Sequence, residues 1–111
     1  MKVLITGGYG YLGKKFIKKF HNTHEIIIFC RVLPDNDFLK KYNIIVEKGS
    51  IENTDIANVI KKHKPDITLH FAALTGLKRC EDNPSKAFLI NTIGTFNVAK
   101  ACLSENSKMV F

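Results

Sequence analysis

The chain has 111 residues, 45% of them hydrophobic, and carries 17 Lys+Arg against 10 Asp+Glu for a formal charge of +7. That length suits one ordinary globular core and excludes several large domains; no apolar run reaches the roughly 18 residues that span a bilayer. The positive balance favours anionic partners such as a dinucleotide, a nucleotide sugar or a nucleic acid. Cys30, Cys80 and Cys102 are widely spaced, with no Cys-x-x-Cys pair and no grouped histidines. Isolated reduced thiols, no metal site and a cytoplasmic location are therefore expected, and Met1-Lys2 leads into a strand too short for a signal segment.

The short, β-branched run Lys2 to Thr6 predicts a first strand, and Gly7 to Gly13 a glycine-rich turn after it. A helix follows, with Leu12, Phe16 and Phe20 on its apolar side and Lys14, Lys15, Lys18 and Lys19 on a solvated face. Those lysines read as solvation rather than as a nucleic-acid surface, because no aromatic residues interleave with them as a stacking platform would require. Glu25 to Cys30 is a second strand of the kind buried on both faces. Pro34 to Asp37 reads as a loop with one helical turn ending at Lys41, and Asn43 to Val46 as the third strand.

Asn53-Thr54-Asp55 offers N-cap choices for a helix through Ile56, Val59 and Ile60, which Pro65 stops after His63. Asp66 to Phe71 is the fourth predicted strand. Pro84 opens a long helix to about Asn106, and Lys108 to Phe111 begins a fifth strand. Strands alternating with helices imply a parallel sheet with right-handed crossovers, and a glycine turn after the first strand selects the doubly wound α/β (Rossmann) order 3-2-1-4-5. We expect one dinucleotide-binding domain over 1–111. Its crevice would lie where strands one and four diverge, gathering Gly7 to Leu12, Cys30-Arg31, Gly49-Ser50-Ile51 and Phe71 to Thr75 at one sheet edge.

Glycine in such a turn tolerates positive φ, and without a Cβ it lets phosphate oxygens approach the free N–H groups and positive dipole end of the next helix. Four linked segments extend this signal: Thr6-Gly7-Gly8-Tyr9-Gly10-Tyr11-Leu12-Gly13, His70-Phe71-Ala72-Ala73, Asn83-Pro84, and Asn91-Thr92-Ile93-Gly94-Thr95-Phe96-Asn97-Val98. Together they resemble the extended short-chain dehydrogenase/reductase family of NAD-dependent nucleotide-sugar epimerases and dehydratases, over residues 1–111. The resemblance implies that Gly7, Gly10 and Gly13 shape the phosphate loop, with Tyr11 and Leu12 offering backbone N–H groups. It implies that Phe71, Ala72 and Ala73 line the nicotinamide-side ribose and phosphates, with Thr75 also in the cofactor site, that Asn91 braces the strand ends from the long helix, and that Gly94 lets that helix approach the sheet closely. His70 reads as a strand residue with a satisfied imidazole.

The chain also departs from that pattern. NAD-preferring relatives end the second strand in an acid that binds the adenosine ribose; here Cys30 stands there and Arg31 follows. Arg31 either faces the ribose, where a guanidinium suits a 2′-phosphate, or points to solvent, so NADP is at least as plausible as NAD. The usual Gly-Asp-hydrophobic beside the adenine is Gly49-Ser50-Ile51, in which Ser50 and Ile51 supply contacts without charge. The family's catalytic Ser/Thr and Tyr-x-x-x-Lys follow the fifth strand, beyond the residues at hand, and Tyr9, Tyr11 and Tyr42 do not substitute. These residues are expected to bind cofactor without completing hydride transfer. The long helix carries one stripe through Ala87, Ile90, Gly94, Val98 and Ala101 and another through Leu89, Ile93, Phe96 and Leu103. The second implies a homodimer face over 84–106 or contact with further chain. The rival expectation is a non-catalytic dinucleotide-binding or interaction module.

Overall fold

The computed structural model describes residues 1–111 and contains five strands, all parallel. β1 (Lys2–Thr6), β2 (Glu25–Cys30), β3 (Ile45–Lys48), β4 (Ile67–His70) and β5 (Lys108–Val110) form one sheet in the order β3-β2-β1-β4-β5. The expected topology is the one observed. Six α-helical segments connect them: α1 (Tyr11–Phe20), α2 (Asn36–Lys41), α3 (Asp55–His63), α4 (Leu77–Asp82), α5 (Pro84–Phe88) and α6 (Thr95–Ser104), with a π-helical turn, Leu89–Gly94, joining the last two.

Strand alternation sorts the central strands into two apolar layers. Val3 and Ile5 of β1 and Ile26, Ile28 and Cys30 of β2 pack with Ile17 of α1 and Tyr42 beyond α2. Leu4, Ile27 and Phe29 face the other way, against Ile56, Val59 and Ile60 of α3 and Ile90, Val98 and Ala101 of the long helical segment. A sheet covered on both faces has no polar side, which is why β1 and β2 are continuous apolar runs. Full burial of each such side chain contributes about 1.5–3 kcal/mol before the entropy of ordering is subtracted. At the sheet's outer side Thr68 and Ser107 hydroxyls meet at 2.9 Å, tying β4 to the start of β5.

Four local expectations change. In α1 the buried positions are Gly13 and Ile17, while Leu12 is exposed and Phe16 and Phe20 are half-buried along the margin, so the core stripe is narrower and rotated from the one expected. β3 begins at Ile45, because Ile44 N–H turns back onto Tyr42 O at 3.0 Å and the ladder opens with Ile27 opposite Ile45. α4 was not expected: none of its residues is buried, so it leaves no apolar periodicity to read. The long helix is interrupted at Leu89–Gly94, where a wider turn brings Ile90 and Gly94, both buried, to the core side, and it ends at Ser104. Thr95 contributes locally by donating its hydroxyl to Asn91 O at 2.8 Å.

Ile17 has no exposed surface, and no other buried side chain of α1 is larger than glycine. Ile17→Ala is expected to cost about 2–5 kcal/mol in urea unfolding, a large share of a typical domain's stability. Lys18→Ala, one residue on but solvated, should change it by less than about 0.5 kcal/mol.

Candidate functional site

The end of β1 runs into a turn whose shape only glycine permits. Gly7 has φ +67°, and a Cβ there would lie 2.9 Å from Ala72 N, so this position demands glycine both for its conformation and for the close passage of the segment leaving β4. Gly10 is different. Its φ of −79° suits any residue, and an added Cβ would meet only Gly7 O, at 3.1 Å, with open space beyond. Gly10 caps α1 without a side-chain hydrogen bond; its own N–H donates to Gly7 O at 2.9 Å, and the first helical bond runs from Lys14 N–H to Gly10 O at 3.0 Å. The N–H groups of Tyr11, Leu12 and Gly13 therefore have no acceptor within the fold, and the first turn holds no acid to neutralise the helix dipole. Gly13 carries no Cβ because one would sit 2.4 Å from Gly8 O, so helix and loop touch backbone to backbone.

In front of this turn is a cleft of about 370 Å³. Of the residues expected at the site, Gly7, Gly10, Arg31, Ile51, Phe71, Ala72 and Ala73 line it, and Ser50 lines an adjoining polar recess. Tyr11, Leu12 and Gly13 are not on its wall; they open α1 directly after Gly10, which is, and the side chains of Tyr11 and Leu12 point into solvent, 77% and 57% exposed. Two more expected residues are also off the wall. Thr75 is exposed at the start of the turn into α4. Asn91 spends its amide on the backbone of Leu74, accepting from Leu74 N at 2.7 Å and donating to Leu74 O at 2.9 Å. Gly94 makes room for the Ile51 side chain, 2.6 Å from where a Cβ would be, so at this position the close neighbour is the turn after β3.

Charge on the wall is asymmetric: Arg31, Arg79 and Lys86 against the single acid Glu52. Arg31 neither reaches freely into the cleft nor points away from it. Its Nη1 pairs with Glu52 Oε1 at 3.3 Å. Cys30 adds no charge, because burial pushes its thiol above the ordinary value. A concave surface with net positive charge, a helix N-terminus with unpaired donors and a side-chain-free approach at Gly10 fits an anionic diphosphate.

The model of the NAD dependent epimerase/dehydratase family matches residues 3–111. The chain belongs to this family. Among curated relatives it is 32% identical over 107 residues to GDP-6-deoxy-D-talose 4-dehydrogenase of Aggregatibacter actinomycetemcomitans, covering 96% of this chain and 32% of the relative. It is 33% identical to CDP-paratose 2-epimerase of Salmonella typhi, covering 96% of this chain and 34% of that one. The chain thus spans about a third of the length of the curated relatives it matches. Among solved structures, Pen from Bacillus thuringiensis superposes with a TM-score of 0.89 at 30% identity, over 99% of this chain and 36% of that one. UDP-glucose 4-epimerase of Thermus thermophilus, solved with NAD, superposes at 0.89 over all of this chain and 37% of that one; at 22% identity it shows the shared fold.

Several wall residues of this family member escaped the sequence. Tyr9 lines the cleft from inside the glycine turn, donating to Asp35 Oδ2 at 2.5 Å while Lys14 Nζ sits 4.0 Å from its ring centroid. That hydrogen bond raises the Tyr9 phenol and lowers the Asp35 carboxyl. Only its place in the turn signalled Tyr9; Arg79 and Lys86 arrive from the unforeseen α4 and from α5, and Glu52 had no signal.

His70 is satisfied at both nitrogens. Thr95 commits its only hydroxyl proton to Asn91 O, so it accepts from His70 Nε2–H at 2.9 Å; His70 Nδ1 then accepts from the Thr6 hydroxyl at 2.7 Å. Thr6 Oγ1 in turn accepts Ala72 N–H at 3.3 Å. This chain of donors requires a neutral ring, and burial lowers the His70 pKa below the ordinary histidine value of about 6.5. The unfolded chain consequently binds the extra proton first as pH falls. Stability is expected to be full above about pH 6.5 and to decline below it by up to about 1.4 kcal/mol per pH unit until the folded ring also protonates. Urea unfolding between pH 7 and 5 should show this slope reduced by one proton in His70→Gln; an identical slope in the two proteins would contradict it.

Proposed function

We propose that the cleft binds a nicotinamide dinucleotide, and that the chain is the cofactor-binding part of an enzyme acting on a nucleotide sugar. The observation that carries this is the cradle at Gly10, where three N–H groups without acceptors open beside a position at which a side chain would occupy ligand space. Tyr11, Leu12 and Gly13 would hold the pyrophosphate through backbone donors, with the α1 dipole favouring its charge. The β2 side, with Arg31, Ser50 and Ile51, would take the adenosine, and Phe71, Ala72 and Ala73 would flank the nicotinamide half. Arg31 offers a donor to a 2′-phosphate, so both NAD(H) and NADP(H) are expected to bind.

Family membership supports the substrate class, since the curated relatives are named for GDP-, CDP-, UDP- and dTDP-linked sugars. When bound, the nicotinamide supplies hydride acceptance or donation. The residues described here bind it, orient it and keep its diphosphate desolvated against backbone. Asn91 supports the site indirectly by fixing Leu74, two residues beyond Ala72. Phe88, Leu89, Phe96 and Leu103 form an exposed apolar stripe along the long helical segment. In this reading that stripe meets a second copy of the chain or the remainder of the parent enzyme.

Isothermal titration with NADH and NADPH tests the cradle. Gly10→Val is expected to lose affinity on the order of 100-fold or more, about 2.8 kcal/mol, while circular dichroism remains that of the parent because the φ of −79° suits any residue and the one close contact of the new Cβ, Gly7 O at 3.1 Å, is relieved by a shift of a few tenths of an ångström. Undiminished binding by a folded Gly10→Val would remove the proposal.

A further inference from the structure

The adenosine end of the cleft lacks the carboxylate that a bare 2′-hydroxyl would normally meet, since Cys30 ends β2, and Ser50 leaves the adenine side without an acid as well. The structure restores one from elsewhere. Glu52 is the only acid on the cleft wall, and its carboxylate also borders the recess next door, whose lining contains no apolar residue. That recess gathers Arg31, Lys48 and Lys86 around Ser50, with Asp55 as the second acid. Asp55 is already committed, accepting Ser50 N–H at 3.2 Å, whereas Glu52 is engaged only through Arg31.

The turn bearing Glu52 is fixed. Ile51 is 4% exposed, and its carbonyl accepts Asn97 Nδ2 at 2.9 Å. Glu52 N–H donates to Ser50 Oγ at 3.3 Å. A carboxylate on such an anchored turn is available to a hydroxyl without large ordering cost. Its partner is mobile by comparison: the Arg31 side chain is 56% exposed and the pair is single-pointed, so a dianion can draw the guanidinium away.

Resting on the dinucleotide reading, the geometry points to Glu52 as the residue that sets cofactor specificity. Through one ion pair it offers an acceptor to a ribose 2′-hydroxyl and restrains Arg31 from a 2′-phosphate seated in the recess. Arg31 and Glu52 then act as opposite halves of a selector: NADP(H) binding exchanges Glu52 for phosphate at Arg31, and NAD(H) binding leaves the pair closed. Selection lies in the balance of the pair rather than in the residue ending β2.

Titration of wild type, Glu52→Gln, Arg31→Gln and the double variant with NADH and NADPH tests this. Wild type is expected to bind both, with dissociation constants within roughly tenfold of each other. Glu52→Gln should tighten NADPH by roughly tenfold and weaken NADH a few-fold, because a like charge leaves the recess and Arg31 is released. Arg31→Gln should weaken NADPH by roughly tenfold or more and NADH by distinctly less, so that the ratio of the two dissociation constants moves toward NADH. In the double variant the gain from Glu52→Gln should vanish, since its route runs through Arg31. A Glu52→Gln protein that binds both cofactors with an unchanged ratio would overturn the assignment while leaving the dinucleotide reading intact. Binding of neither cofactor by wild type would overturn the dinucleotide reading and this one with it.

Discussion

The close passage of two strand exits sets the geometry of the site. β1 and β4 are adjacent and parallel, paired from Val3 with Ile67 to Thr6 with His70, and their chains then leave in different directions. At that point Gly7 adopts φ +67° within 2.9 Å of Ala72 N, measured from where a Cβ would be. Any side chain would push the glycine turn off the β4 exit, and with it the start of α1. The cradle is therefore a consequence of sheet topology meeting one residue without a side chain: the helix is delivered N-terminus first to the crevice because the turn before it is too tight for anything else.

Polar side chains hold what the apolar layers do not reach. Thr6, His70 and Thr95 form a run of hydrogen bonds from β1 through β4 to the long helical segment, each group donating one proton and accepting another. Two side-chain amides on the same segment clamp backbone: Asn91 holds Leu74 through two bonds, and Asn97 holds Ile51 through one. All three helical residues lie beside the buried line through Ile90, Gly94 and Val98. One element thus packs its apolar side on the core and uses the adjoining polar edge to fix the loops after β3 and β4. Each bond contributes only about 0.5–1.5 kcal/mol net, so their value to the cleft is positional.

The parts of this architecture legible in the sequence are those where one physical demand dominates. Val3-Leu4-Ile5 and Ile26-Ile27-Ile28 could only be strands covered on both faces, and the glycine turn between a strand and a helix selected the sheet order. The satisfied imidazole of His70 was also foreseen, though its partners were not, because Thr6 and Thr95 lie 64 and 25 residues away. What escaped was structure without periodicity. α4 buries nothing, and the π-helical turn arises where core packing and a threonine-to-carbonyl bond act together within one helix. The position of Arg31 was undecidable for the same reason: its partner Glu52 belongs to a turn 21 residues on, brought alongside only by the pairing of β2 with β3.

That pairing also explains why the edge of the cleft beside β2, which ends in Cys30 rather than an acid, is not uniformly basic. β3 runs parallel to β2 with Cys30 opposite Lys48, so the residues just past each strand emerge on the same edge of the sheet. Gly49 N–H continues the ladder onto Cys30 O at 3.1 Å, and a Cβ on Gly49 would strike the Phe29 ring at 2.7 Å, which presses the turn after β3 against β2. Substituents within a few residues of either strand end then share one volume. A carboxylate on either exit loop therefore faces the same part of the cleft. Electrostatic demand in such a crevice is met by a volume, not by a sequence position, so motif spacing identifies this fold more surely than it identifies which cofactor the fold prefers.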